Sequence, residues 1–340
     1  MSEQKLFDAA MVLLKKESEN VAPTSGSGVR FPLHWLSDLG RLQVREFLGT
    51  WRKLPAATRR DLIARMEEMA RANFELDFTG IAHVTLDDAD GGVRVHAIRT
   101  LWECEDPKLI DRFLQLMEKD SDSAVRSAAA SALGAFVERM ELEKIPASIG
   151  GKIVERLKVV AGGTDDLEVR RRAVESIGFS SEPGVYEILA KAYRQHEESM
   201  KASSLFAMGR SADSRWSATI LRELGSRSPA LRAEAARAAG ALGLRSAVPL
   251  LIELLEDPDG NVRWNTIDSL GEIGGESARQ ALEELQGEAE SDEWDRIEEA
   301  LENAEFQDSI GDLPLLTLDD EDEEDAESDE DDEEDEDPEG

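Results

Sequence analysis

Acid–base pairs recur along this chain. Asp90 stands four residues before Arg94, and the same spacing sets Asp122 before Arg126, Asp166 before Arg170, Glu197 before Lys201 and Asp259 before Arg263; at Arg232 the acid is replaced by Ser228. A carboxylate and a cation one helical turn apart can move a proton or hold a charged substrate. Catalysis needs such a pair once, so its repetition points to a scaffold. A carboxylate at the turn caps the helix start and pairs with the basic residue one turn later.

Other catalytic constellations are missing. The four histidines, His34, His83, His96 and His196, share no helix at metal-ligand spacing, and no H-E-x-x-H occurs. No Walker loop, G-x-G-x-x-G or G-x-S-x-G is present. Cys104 is the only cysteine, which excludes an internal disulfide and a cysteine-based zinc knuckle. No catalytic residue, metal or cofactor is expected, and the chain is expected not to be an enzyme.

The elements that carry the pairs repeat with them. "VRSAAASALG" (125–134), "VRRRAVESIG" (169–178), "MKASSLFAMG" (200–209), "LRAEAARAAG" (231–240) and "VRWNTIDSLG" (262–271) share one skeleton. Arg170, Lys201, Arg232 and Arg263 are spaced 31 residues apart, and Gly134, Gly178, Gly209, Gly240 and Gly271 follow the basic slot by eight. These glycines are expected to end a helix in left-handed geometry. The interval from Arg126 to Arg170 is 44, so an insertion of about 13 residues falls near 141–151. A divergent copy, "VRVHAIRTLW" (93–102), has Trp102 in the glycine slot. A second helix follows each first one: "SAVPLLIELLEDP" (246–258) puts Leu251, Leu254 and Leu255 on one face, and Leu189, Ile220, Leu251 and Leu282 keep the 31-residue phase. Neither helix of such a pair can bury its stripe alone, so pairs must stack. The expected fold is all-α: a superhelical α-solenoid of antiparallel helix pairs.

The D-x-x-V-R opening, the A-x-x-x-L-G body and a second helix with Leu-Ile-x-x-Leu before Asp-Pro resemble HEAT-repeat proteins, specifically the short HEAT-like repeats of phycobilisome bilin lyases, over roughly residues 58–306. The resemblance implies the solenoid but no single activity. HEAT-like deoxyhypusine hydroxylases hold iron with several His-Glu pairs, whereas the one such pair here is His196-Glu197. HEAT-like alkylpurine DNA glycosylases use a basic face with aromatics and an Asp; Trp216, Trp264 and Asp268 exist, but on an acidic body.

That body has 74 acidic and 39 basic residues, a formal charge of −35. Asp319–Glu339 holds 18 of the acids and no base, leaving 56 acids against 39 elsewhere. Such a field opposes nucleic acid and anionic membrane, so neither is an expected partner. With no apolar leader or run of eighteen apolar residues, a cytoplasmic protein is expected. The sequence divides into an amphipathic helix and linker (1–28), a divergent helical cap (29–90), the repeat array (91–306), and an apolar segment with a disordered acidic tail (307–340). The first helix would use Phe7, Ala10, Met11 and Leu14.

A protein-binding scaffold, monomeric rather than oligomeric, is the expected function. Its second helices would line the concave surface and offer Lys191, Arg194, Arg222, Glu253 and Glu284. Other candidate contacts are Trp264, which no other repeat requires, the leucines Leu313, Leu315, Leu316 and Leu318, and the basic stretch Arg41, Arg45, Arg52, Lys53, Arg59 and Arg60. The tail would modulate binding or solubility, or fold back on that basic stretch. The alternatives are a lyase-like or accessory factor acting on a tetrapyrrole-bearing protein, and an acidic-tail chaperone or nucleic-acid mimic for basic proteins.

Overall fold

The structure, a computed structural model, describes residues 3–19, 32–102, 104–288 and 291–311. Leu313, Leu315, Leu316, Leu318 and the acidic run lie outside the described residues. Described residues form helices and 3-10 turns without strands. The N-terminal end comprises α1 (Glu3–Glu19), α2 (Arg41–Trp51), α3 (Ala56–Ala72) and α4 (Thr79–Thr85). Six pairs follow: α5 (Gly91–Thr100) with α6 (Lys108–Lys119), α7 (Ser123–Glu141) with α8 (Ala147–Gly162), α9 (Leu167–Ile177) with α10 (Val185–Tyr193), α11 (Glu198–Arg210) with α12 (Ser217–Leu224), α13 (Pro229–Ala241) with α14 (Val248–Leu254), and α15 (Gly260–Ile273) with α16 (Glu276–Glu288). Helix α17 (Ser291–Gly311) closes the array. The 13-residue insertion adds no long loop; it lengthens α7 to 19 residues and α8 to 16.

The odd-numbered helices from α3 to α17 form one layer, each against the next, and the even-numbered ones form a second layer in which neighbours barely touch. Apolar side chains meet between the layers. Leu189, Ile220, Leu251 and Leu282 are all fully buried, each worth about 1.5–3 kcal/mol relative to exposure. The array has one contiguous core running from Ala82 to Ala300. The N-terminal end has a second, in which Phe7, Met11 and Leu14 of α1 pack with Leu33, Leu36, Phe47 and Trp51.

The five repeat glycines do not end helices in left-handed geometry. Positive φ among glycines occurs instead at Gly184, Gly243, Gly274 and Gly275. The repeat glycines let neighbouring helices approach. A Cβ on Gly178 would stand 2.6 Å from Ala207 Cα, one on Gly209 2.8 Å from Ala238 Cα, one on Gly240 2.9 Å from Ser269 Cα, and one on Gly271 2.9 Å from Ala300 Cα. Each glycine thus meets the residue 29 positions later. Gly134 meets Ser176 across the insertion. A constant offset between side-by-side helices makes them parallel and in register.

The ladder also differs from the expected pairing. Asp90, Asp122, Asp166 and Asp259 do cap their helices, accepting from the backbone N–H of Val93, Ala124, Glu168 and Asn261. They do not pair with the arginine one turn later. Arg94 instead donates Nε and Nη2 to both oxygens of Asp120 in the following loop, at 2.8 and 2.7 Å, and Nη1 to the Asp88 carbonyl of its own loop at 2.7 Å. Arg126 repeats this with Asp165 and the Asp120 carbonyl, and Arg232 with Asp257 and the Ser226 carbonyl. The loops before α7, α9 and α15 therefore carry two acids each, Asp120 with Asp122, Asp165 with Asp166 and Asp257 with Asp259. The first receives the previous arginine and the second caps the helix, so a side chain one turn along the helix is not the best-placed partner. Arg170 donates to Gln195, Arg263 keeps the Asp257 carbonyl and lies 3.8 Å from Glu293, and Lys201 makes no ion pair among the described residues.

Candidate functional site

A stack packed tightly in one layer and loosely in the other bends toward the tight layer. The odd-numbered helices, brought close by glycine and alanine, therefore form the inner face. This reverses the expectation that the second helices line the concavity: Lys191, Arg194, Arg222, Glu253 and Glu284 are exposed on the outer layer, where Arg222 donates to the Tyr193 hydroxyl at 2.9 Å.

A groove of about 670 Å³ runs along the inner face from α3 to α11. Its floor is the small-residue side of α7, notably Ala128, Ser131, Ala132 and Ala135. Trp102, in the glycine slot of the divergent repeat, has no room between helices; it lines the groove with half of its surface exposed. Phe179 and Phe206 line it from α9's end and α11. Arg210, at the end of α11, lies over both phenyl rings, with its guanidinium carbon 4.4 and 3.9 Å from their centroids. Arg237 also lies over the Phe206 ring, at 4.2 Å. Burial, with the neighbouring Arg237 cation, holds the Arg210 guanidinium below its ordinary value. Arg71 and Arg99 complete the basic lining.

The acids of this groove are Glu138, Glu168 and Glu175. Glu168 and Glu175 are engaged by Arg172, at 2.7 and 2.8 Å, and Arg71 is held by Glu67 at 3.1 Å. Arg99 and Arg210 have no ion pair among the described residues. Farther along the inner face the sign reverses. Asp268, Glu272, Asp295 and Glu299 line a second depression with Arg296. Burial pushes the carboxyl of Glu234 up, and burial with the charge of Asp268 does the same to Glu272.

Trp264 is on the inner face, one turn before Asp268. It is 46% exposed, with Arg296 5.5 Å above its ring, and Arg296 also pairs with Asp268. The basic N-terminal stretch divides. Arg59 reaches Asp88 at 2.9 Å and the Leu54 carbonyl at 2.6 Å, and Arg60 grips Asp90 with Nε and Nη2. Arg59 is thus a ladder member one unit upstream and Arg60 is held on the capping acid, so the expected docking patch shrinks to Arg41, Arg45, Arg52 and Lys53, all exposed.

The groove residues were missed in the sequence, though a signal exists. Five residues after the ladder position the chain reads Arg99, Ser131, Glu175, Phe206, Arg237 and Asp268, and nine after it Phe179, Arg210 and Glu272. These slots vary where the scaffold slots repeat, and they fall on the helix side turned from the partner layer. Among the described residues no group of three His, Cys, Asp or Glu side chains is placed to hold a metal ion. No described helix is long and apolar enough to cross a membrane.

The family model for HEAT repeats matches residues 80–148 and 217–302. No curated protein matches the chain in sequence. Solved structures similar to it include the complex of CpcE and CpcF of phycocyanin lyase from Nostoc sp., 20% identical over 66% of this chain and 94% of that one, with a TM-score of 0.46. Human deoxyhypusine hydroxylase is 16% identical over 89% and 98%, with a TM-score of 0.34. A designed armadillo repeat protein in complex with a (KR)4 peptide is 16% identical over 57% and 99%, with a TM-score of 0.40. At these identities no residue role carries over.

Proposed function

We propose that this HEAT-repeat chain is a non-enzymatic scaffold that binds another protein along the inner face of its solenoid. The observation that carries the reading is the groove spanning α3 to α11, with a floor of small residues, three aromatic side chains and two guanidinium groups that have no ion pair among the described residues. Aromatic and arginine side chains around a trough are what binding hot spots are made of. The ladder arginines, being structural, leave the groove as the surface free to vary between one repeat and the next. Neither the lyase-like reading nor the acidic-chaperone reading gains a residue from the described part of the chain.

Filling the groove floor tests the reading. The double substitution Ala128→Arg and Ser131→Arg adds bulk and charge at two solvent-accessible positions of α7, and should leave helical content and melting temperature near those of the parent. Affinity capture from the native cell should then lose proteins that an outer-face variant, Lys191→Glu with Arg194→Glu, retains. If both variants capture the same proteins, the inner face is not the binding surface.

A further inference from the structure

We propose that the groove is occupied by the chain's own acidic segment, residues 312–340, which thereby competes with any partner for the inner face. This rests on the reading of the groove as a binding surface and adds its regulation.

Three observations carry it. The first is charge: in a chain of formal charge −35, Arg99 and Arg210 stand in a concave surface without ion pairs among the described residues, while Arg237, beyond Phe206, is 3.6 Å from Glu234. The second is direction. The inner-face helices are parallel, so the end of α17 at Gly311 lies on the same edge as Arg210 at the end of α11 and as Phe179 and Trp102 just past α9 and α5. The chain leaves the last helix on the side where the arginines wait.

The third is reach. From α17 to α11 is three helix spacings, about 24–30 Å at about 8–10 Å each. The eight residues 312–319 extend about 26 Å at about 3.3 Å per residue, so the acidic run beginning at Asp319 arrives where Arg237 and Arg210 stand. Three further spacings reach Arg99, about 54 Å in all, which an extended chain covers near residue 328. The tether places the acids at an effective concentration on the order of millimolar, and it brings them to Arg210 before they could reach the exposed cations Arg41, Arg45, Arg52 and Lys53 on and just past α2.

The test uses the full chain with one label. Cys104→Ser with Ser328→Cys allows an oxazine dye, which tryptophan quenches on contact, to be attached near the position facing Trp102. The dye should be quenched, and its emission should rise to that of the free labelled segment when the contact is lost. Trp102→Phe should release it; Trp264→Phe and Trp294→Phe should not. Arg99→Gln with Arg210→Gln should release it too, as should about 1 M salt, where the screening length falls to about 3 Å. Arg41→Glu with Arg45→Glu should leave it quenched. Emission indifferent to Trp102 and to the Arg99 and Arg210 pair overturns the proposal, as does release by the Arg41 and Arg45 pair. If the dye is unquenched while Ala128→Arg with Ser131→Arg still abolishes capture, the groove binds a partner and the tail does not occupy it.

Discussion

Arg94, Arg126 and Arg232 each hold a carbonyl of their own loop and a carboxylate of the following one, so a single side chain fixes the angle between successive repeats. Arg94 and Asp120 are almost removed from water, at 12% and 7% side-chain exposure. Arg94→Ala leaves the Asp120 charge unpaired there and should cost about 2–3 kcal/mol, seen as a lower urea midpoint. Arg94→Lys should recover only part, because an ammonium cannot grip both oxygens and the carbonyl together. The same contacts set the response to acid. Hydrogen bonds from Arg126 and Arg232 hold the carboxyls of Asp165 and Asp257 below the usual aspartate value. Their stabilisation is complete above the unfolded value of about 4 and is lost as pH falls through the lower folded values. Glu234 and Glu272, raised by burial, act in the opposite sense and gain stability as they protonate. Urea midpoints should therefore fall steeply below about pH 4, and Asp257→Asn should flatten that fall. The capping half of the ladder was legible because it is local; the pairing half was not, because its partners lie 25–39 residues away, although Asp120, Asp165 and Asp257 stood in the sequence just before the capping acids.

At the scale of the helix, glycine spacing was legible and its cause was not. A glycine eight residues past an arginine fits a helix stop as well as a helix contact, and only the neighbouring helix decides between them. Gly209→Ala forces a methyl to within 2.8 Å of Ala238 Cα and should cost about 1–3 kcal/mol by overpacking. Gly49→Ala lies inside α2 with nothing within 4 Å of the added carbon. It should stabilise by about 0.4–1 kcal/mol, chiefly by restricting the unfolded chain. Thermal unfolding of the two variants should move in opposite directions.

For the molecule as a whole, the solenoid and its period were legible, since both follow from apolar spacing. Which layer faces inward was not. It depends on how closely each layer packs, and glycine and alanine on the odd-numbered helices settle it against the leucine-rich partners. The groove was overlooked for the same reason, its floor being alanines and serines that in sequence read as filler between Val-Arg and Leu-Gly. Trp102 was visible as an irregularity, but its meaning required knowing that the slot it fills is a helix contact too narrow for an indole.

The fixed 29-residue offset between touching positions makes the length of this protein divisible. Excision of residues 229–259 removes one period and joins Ser228 to Gly260, so that Gly209 would meet Ser269, the residue Gly240 meets now, and Arg263 would stand where Arg232 stands. The shortened chain should fold with the same helicity per residue and a single melting transition, whereas a deletion of 28 or 34 residues from the same place should not. The array behaves as a ruler marked in whole units, and its span can change by a unit without new joints being invented.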